Sequence, residues 1–358
     1  MKKYYLDNIR WITVVIVAIY HVIYIYNGVQ PFGVIGPFKE IQYQDAFQYL
    51  VYPWFMALLF VVSGMCSRYS LEKKTTREFI RSRTVKLLVP STIGLFVFQW
   101  IQGYYNMKIG NAFETMDLSV MPKVVLWGIM SVSGCGVLWY IQMLWIFSII
   151  LILIRKIEKD RLFELCKGVK FWMLLIFTVM YYLSAQVLNT PVITVYRFGI
   201  YGLCFLLGYY VFAHEEVMER LTGFWLPLLV AAIVLGVTYT VIYFGKNYAV
   251  EPYVNNILAC IYGWIAILAI LAGMKKWADE TNGFATWMSG KSWGLYIFHY
   301  LPMSMTAYYL DKSGVQLWIP LYYVIVLVAE FVGAYVLYEI ISRIPVIRWC
   351  LLGIRKSK

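Results

Sequence analysis

The chain has 358 residues, of which 61% are hydrophobic and only 14% charged, and its mean hydropathy of +0.68 lies outside the range of ordinary soluble domains. Its formal net charge of +12 would suit nucleic acid or an anionic surface, but the basic residues alternate with apolar runs of about twenty residues, the length one helix needs to cross a bilayer. The composition therefore predicts an all-α, polytopic membrane protein, expected in the cell (plasma) membrane, and topology accounts for most of the charge.

Cys66, Cys135, Cys166, Cys204, Cys260 and Cys350 are scattered singly. Without a CxxC or zinc-type spacing they predict neither a disulfide framework nor a metal site. The basic start at Lys2 and Lys3 resembles a signal peptide, but the apolar run behind it is too long, lacks a small-residue cleavage site and contains His21. It reads as a span. No linker, low-complexity tract or repeat period interrupts the rest, so residues 1–358 are expected to form a single membrane domain.

About ten transmembrane helices are predicted, over 10–27, 46–67, 87–105, 135–154, 171–189, 199–213, 224–244, 254–273, 291–310 and 318–341. The first carries Arg10 and His21, eleven positions apart. On an α-helix that spacing is about three turns, which places both on nearly one face, roughly 16 Å apart along the axis. Titratable groups in an apolar segment are costly unless they face a bundle interior or a wet cavity, so both are candidate functional residues.

After the second segment comes the most basic stretch of the chain, residues 68–86, expected to be a loop. It includes Arg81, Arg83 and Lys86. Arg83 and Lys86, three apart, can share a helix face and hold phosphates at the membrane surface. The competing reading is a set of topology anchors meeting anionic headgroups. Residues 124–134 are apolar but too short to span, and predict a half-helix or surface segment. Trp139 and Tyr140, at the start of the fourth span, fit an aromatic belt or a sugar-stacking surface. Arg197 precedes the sixth span, either as an interfacial anchor or as an acceptor contact. His299 lies inside the ninth span and Glu330 inside the tenth, and each is either a helix–helix hydrogen-bonding group or part of a substrate site.

Orientation follows from the excess of Lys and Arg on cytoplasmic loops. With both termini cytoplasmic, only Lys39, Lys108, Lys123, Arg197, Lys246 and Lys312 among the 31 basic residues fall on the outer side. Arg10 then lies at the cytoplasmic face, with His21 displaced toward the outer half.

Two function classes fit these residues. A secondary transporter places Arg and His within spans as substrate or proton sites, and composition with topology alone favours it. The other is acyl transfer to a hydroxyl, in which a neutral imidazole removes the proton and returns it to the leaving group. A coenzyme A thioester is an activated donor whose phosphates suit a basic cytoplasmic face, with Arg10, Arg81, Arg83 and Lys86 as clamps. Its arm is long enough, at roughly 15–20 Å, to carry the thioester toward His21.

Residues Leu6 to Arg10 followed by His21, Trp54 to Met65 with Ser63-Gly64, and Phe79 to Pro90 occur in an order similar to the motifs of the membrane-bound acyltransferase family 3. Leu138-Trp139-Tyr140 and Leu295 to His299 resemble that family's Trp-aromatic and Tyr-x-x-His elements. The matches run from the first predicted helix to the ninth. Lys86 stands where the family usually has a second Arg, keeping the charge but losing bidentate geometry, and Met65 replaces the usual aromatic. The resemblance implies a stand-alone member without a secreted hydrolase-like domain. It would transfer an acyl group, most commonly acetyl, from acetyl-CoA or another acyl-CoA to a glycan or similar hydroxyl acceptor. It assigns His21 as base, Arg10 as donor-side cation, and Arg83 with Lys86 to phosphate.

Overall fold

A computed structural model of the chain describes residues 2–30, 33–38, 42–115, 121–190 and 193–355, and every element of regular structure in them is helical. Among the described residues, seven stretches are long and apolar enough to cross a membrane: Tyr4–Tyr24, Tyr43–Leu71, Thr76–Ile109, Gly136–Glu158, Trp225–Tyr243, Ile257–Trp277 and Ile319–Arg343. Shorter apolar helices run over Lys123–Ser133, Phe171–Ala185 and Phe198–Phe212.

The sequence anticipates most of these; of the ten predicted spans, 171–189 and 199–213 appear as the shorter helices Phe171–Ala185 and Phe198–Phe212, and three further differences stand out. The first helix starts at Tyr4 rather than at residue 10, which puts Arg10 in its second turn and His21 in its last. The basic stretch expected as a loop is largely helical from Thr76 onward. Thr75 and Glu78 close a reciprocal box there: the Thr75 N–H donates to Glu78 Oε2 at 2.9 Å and the Glu78 N–H to Thr75 Oγ1 at 3.3 Å, which satisfies donors that a helix start leaves unpaired. Third, the expected span 291–310 is two helices, Gly283–Phe298 and Tyr300–Lys312, meeting at His299. Pro302 explains the break, because it has no N–H for the Phe298 carbonyl and its ring crowds that oxygen.

By packing, the chain divides into two units. The first comprises Met1–Thr13, Ala46–Arg81 and Met143–Ser289, and the second Val14–Asp45, Ser82–Gln142 and Gly290–Lys358.

In the first unit the Phe55–Leu71 helix lies directly on Phe198–Phe212. A Cβ at Gly64 would fall 2.0 Å from the Phe205 carbonyl oxygen, and one at Gly208 2.0 Å from that of Val61. Small residues bring backbones together in this way where no hydrophobic drive separates protein from lipid. Buried polar ends find carbonyls: Trp264 Nε1 donates to Leu174 at 2.7 Å and the Tyr181 hydroxyl to Pro53 at 3.1 Å. At the end of the Gly136–Glu158 helix, Asp160 accepts from Arg155 Nη2 at 3.0 Å and Arg68 Nη1 at 2.9 Å.

In the second unit, Val22, Ile25 and Tyr26 form a core with Met303, Ala307 and Val326. The Trp100–Ile109 and Lys123–Ser133 helices meet through reciprocal glycines, with a Gly103 Cβ position 1.7 Å from the Met130 oxygen and a Gly134 position 1.8 Å from that of Gln99. The C-terminal helix Pro345–Leu352 packs on the start of the third span. Gly94 approaches the Cys350 carbonyl there, and Gly353, in the left-handed region at φ +64°, sits against Val85 and Lys86 backbone.

The Arg155 hydrogen bond is the main reason the Asp160 carboxyl lies below its ordinary value of 3.8, with Arg68 adding to it and burial opposing. A carboxyl lowered in the folded state stabilises the fold above the ordinary value, and that contribution is lost as pH falls through the lowered one. Thermal unfolding in detergent, followed from pH 6 downward, should therefore start lower and fall less steeply for Asp160→Asn than for wild type. Parallel curves would show that the carboxylate contributes nothing.

Gly103→Val is expected to lower stability by about 1–3 kcal/mol through overpacking. Gly128→Ala, on the same helix pair but with open space around its Cβ position, should leave the melting temperature unchanged or slightly raised. Equal melting curves for the two variants would contradict the close approach.

Candidate active site

The second unit places two histidines from distant parts of the chain against each other. His21 projects from the last turn of Tyr4–Tyr24, and its Nδ1 lies 3.1 Å from His299 Nε2. The ring centroids are 5.2 Å apart, with the planes tilted by 37°. His299 is fully buried, whereas His21 keeps partial exposure. At its other end, His299 Nδ1 lies 3.0 Å from the Leu295 carbonyl and 2.9 Å from that of Tyr296.

The helix break sets this geometry. His299 stands at the junction where Pro302 interrupts the ladder, between a helix that supplies the Leu295 and Tyr296 carbonyls and one that supplies Tyr300. The Tyr300 ring meets His21 edge-on at 5.0 Å, and Tyr20 does the same from its own helix at 5.2 Å. Aromatic walls and one partner nitrogen thus confine the His21 ring.

The Tyr-x-x-His and Trp-aromatic elements also come together. The Tyr296 hydroxyl donates to the Val137 carbonyl, and its ring packs edge-on against Tyr140 at 5.8 Å. Trp139 lies against Tyr140 at 6.3 Å. Gln142 Nε2 donates 3.1 Å to the Ser91 carbonyl, tying this helix to the third span.

Arg83 and Lys86 belong to the same unit, at a π-helical turn over Thr84–Leu88, with Arg83 half-buried and Lys86 exposed. The Val89 N–H reaches back to the Thr84 carbonyl, and Pro90 immediately follows. An extra residue in the turn is tolerated where proline has already removed a donor.

Arg10, Arg81 and Arg197 belong to the first unit. Arg10 Nη1 lies 3.5 Å from Asp7 Oδ1 one turn away. Arg81 is exposed. Arg197 is buried at the start of Phe198–Leu207, where Nη2 reaches the Val254 carbonyl at 3.5 Å.

Glu330, in Ile319–Arg343, is fully buried, and neither carboxyl oxygen has a hydrogen-bond partner among the described residues. One turn on, Gly333 meets the Pro302 ring, so this helix lies along the one that begins after His299.

Two features were missed in the sequence. Tyr300 confines His21, and its only sequence signal is its place directly after His299. Gln102 and Ser304, both buried, form a polar chain with half-buried Asn106, Gln102 Nε2 donating to Asn106 Oδ1 at 2.8 Å and Ser304 Oγ at 3.0 Å. Amides and a serine inside apolar runs were its signal. A broad, mostly apolar cavity of about 510 Å³ follows one face of Tyr300–Lys312, from Pro302 to Ser313, and neither histidine lines it.

Two hydrogen-bonded imidazoles in apolar surroundings can hold a lone pair ready to accept a proton and return it without a metal in the path. Such a pair suits proton transfer to and from a hydroxyl. A family model described as an acyltransferase domain, that of the acyltransferase 3 family, matches residues 3–339. No curated protein and no solved structure matches the chain.

Proposed function

The chain belongs to the acyltransferase 3 family, and from that premise we propose that it moves an acyl group, acetyl first among them, from cytoplasmic coenzyme A to a hydroxyl. Family and apolar helices together make it a membrane acyltransferase. The acceptor is a glycan or similar molecule on the far side of the bilayer or linked to it, and the membrane is the cell membrane.

The observation that carries this reading is the His21–His299 contact at 3.1 Å. His21 takes the proton from the acceptor hydroxyl as its oxygen attacks the thioester carbonyl. The tetrahedral intermediate collapses by breaking the carbon–sulfur bond, and the departing thiolate takes the proton from the imidazolium. Ester and coenzyme A thiol are the products, with no proton gained or lost overall.

The donor end rests on charge. With both termini cytoplasmic, Arg10, Arg81, Arg83 and Lys86 lie on the side where coenzyme A is found, and their cations suit its phosphates. Lys86 acts there as a point charge, so Lys86→Arg is expected to lower the KM for acetyl-CoA without changing kcat. An unchanged KM would remove Lys86 from donor binding.

Transfer of radiolabelled acetyl from acetyl-CoA to a glycan acceptor, by purified protein, tests the base. His21→Ala should lose about 10²–10⁴-fold in kcat, and undiminished transfer would exclude His21. Label retained on wild-type protein without acceptor would replace direct transfer with a covalent intermediate.

The helix broken within a predicted span also favours the transporter, since transporters use discontinuous helices at their sites. Coenzyme A should raise the melting temperature of wild type, and less so in Arg83→Ala. No shift, together with substrate flux into liposomes lacking acetyl-CoA, would establish the transporter instead.

A further inference from the structure

We propose that His299 is a positioning residue that fixes the tautomer of His21 and so decides which of its nitrogens acts as base. This rests on the acyl-transfer reading above for its catalytic meaning, though not for its geometry.

A backbone carbonyl can only accept, so the His299 Nδ1 that faces the Leu295 and Tyr296 carbonyls at 3.0 and 2.9 Å carries a proton. In a neutral imidazole the other nitrogen is then a bare acceptor, and His299 Nε2 faces His21 Nδ1 at 3.1 Å. Two lone pairs do not meet at that distance. His21 Nδ1 therefore carries its proton toward His299, and the lone pair of His21 resides on Nε2.

This assignment has a chemical consequence. A histidine side chain in water prefers the tautomer protonated on Nε2, which would leave its lone pair on Nδ1, against His299. An acceptor held at Nδ1 reverses that preference, because the hydrogen bond made by one ring nitrogen sets the state of the other. His299 can serve as that acceptor because its own ring is held by two carbonyls at the helix break and is closed off from water. When His21 accepts the substrate proton, its Nδ1–H bond to His299 becomes charge-assisted and strengthens. A neutral imidazole thus occupies the place that a carboxylate fills in a serine-histidine-aspartate triad.

The Val17 carbonyl, one turn back in the same helix, also bonds to the His21 ring, and because a bare Nε2 has no proton to give, it is a second acceptor for the Nδ1 proton. The structure contains both, and experiment can separate them. His299→Phe keeps an aromatic ring but removes the acceptor. His299→Gln keeps a polar end that can accept from His21.

The chain has only 3 histidines, so imidazole ¹⁵N spectra of the protein in nanodiscs can be assigned by comparing single variants. Wild type should show His21 with a protonated Nδ1 and a bare Nε2. His299→Phe should convert it to a mixture or to the Nε2-protonated form and lower kcat about 10–100-fold, with KM for acetyl-CoA nearly unchanged. His299→Gln should restore most of both. A His299→Phe protein that melts like wild type yet keeps the wild-type tautomer and kcat would overturn the proposal and leave Val17 as the sufficient acceptor. If His299→Phe does not fold, His299→Gln decides: loss of the Nδ1-protonated form in a folded His299→Gln protein that still turns over at the wild-type rate would equally sink it. Because the spectra do not require turnover, failure of the acyltransferase reading would appear separately, as no acetyl transfer by the wild-type protein.

Discussion

A polar group in an apolar bundle must find its partner within the protein, because lipid offers none. The contact between His21 and His299 is the strictest case of this constraint in the chain. His299 is sealed from solvent, so both of its nitrogens need protein partners, and two carbonyls on one side and His21 on the other provide them. The arrangement depends on the helix break, since the ring sits where Pro302 has interrupted the ladder. Proline costs the helix a backbone bond, and the surrounding packing places a functional group at that position.

The same constraint shapes the helix contacts. Gly64 with Gly208, and Gly103 with Gly134, bring backbones closer than any side chain would allow. Dispersion between closely spaced backbones replaces the hydrophobic term that is absent between helix and lipid. These contacts act within each unit, and in the second they fix the helix that carries Gln102 and Asn106, whose amides reach toward Ser304 and Ser133. Close packing and the polar chain are therefore parts of one arrangement.

Most of the helical content was legible in the sequence because a bilayer imposes long apolar runs, which are hard to disguise. The individual candidates His21, His299 and Glu330 were legible for the converse reason, since polar residues in such runs stand out, and Arg83 and Lys86 because basic residues cluster in the stretch that holds them. Three features were not. The 68–86 stretch looked like a loop because its charge obscured the Thr75-x-x-Glu78 box, a signal that local capping chemistry carries and hydropathy does not. The break at His299 was hidden because Pro302 within an apolar run reads as a kinked span as readily as two helices. That His21 meets His299, across 278 positions, depends on tertiary packing that no local pattern encodes.

The basic motif in the second unit shows how a charge visible in sequence acquires a fixed position only through backbone packing. Arg83 precedes and Lys86 lies within a π-helical turn, a geometry with a weaker ladder than an α-helix and therefore in need of outside support. Pro345–Leu352 and Gly353 supply it. The Gly353 backbone lies against Val85 and Lys86 so closely that a Cβ would come 2.2 Å from the Val85 oxygen, and Gly94 admits the Cys350 carbonyl on the next turns. Trp293 Nε1 adds a 3.1 Å bond to the Leu352 carbonyl from the helix that leads to His299. The C-terminal segment thus touches both the basic turn and the helix bearing the buried imidazole. Its packing makes the position of one dependent on the position of the other.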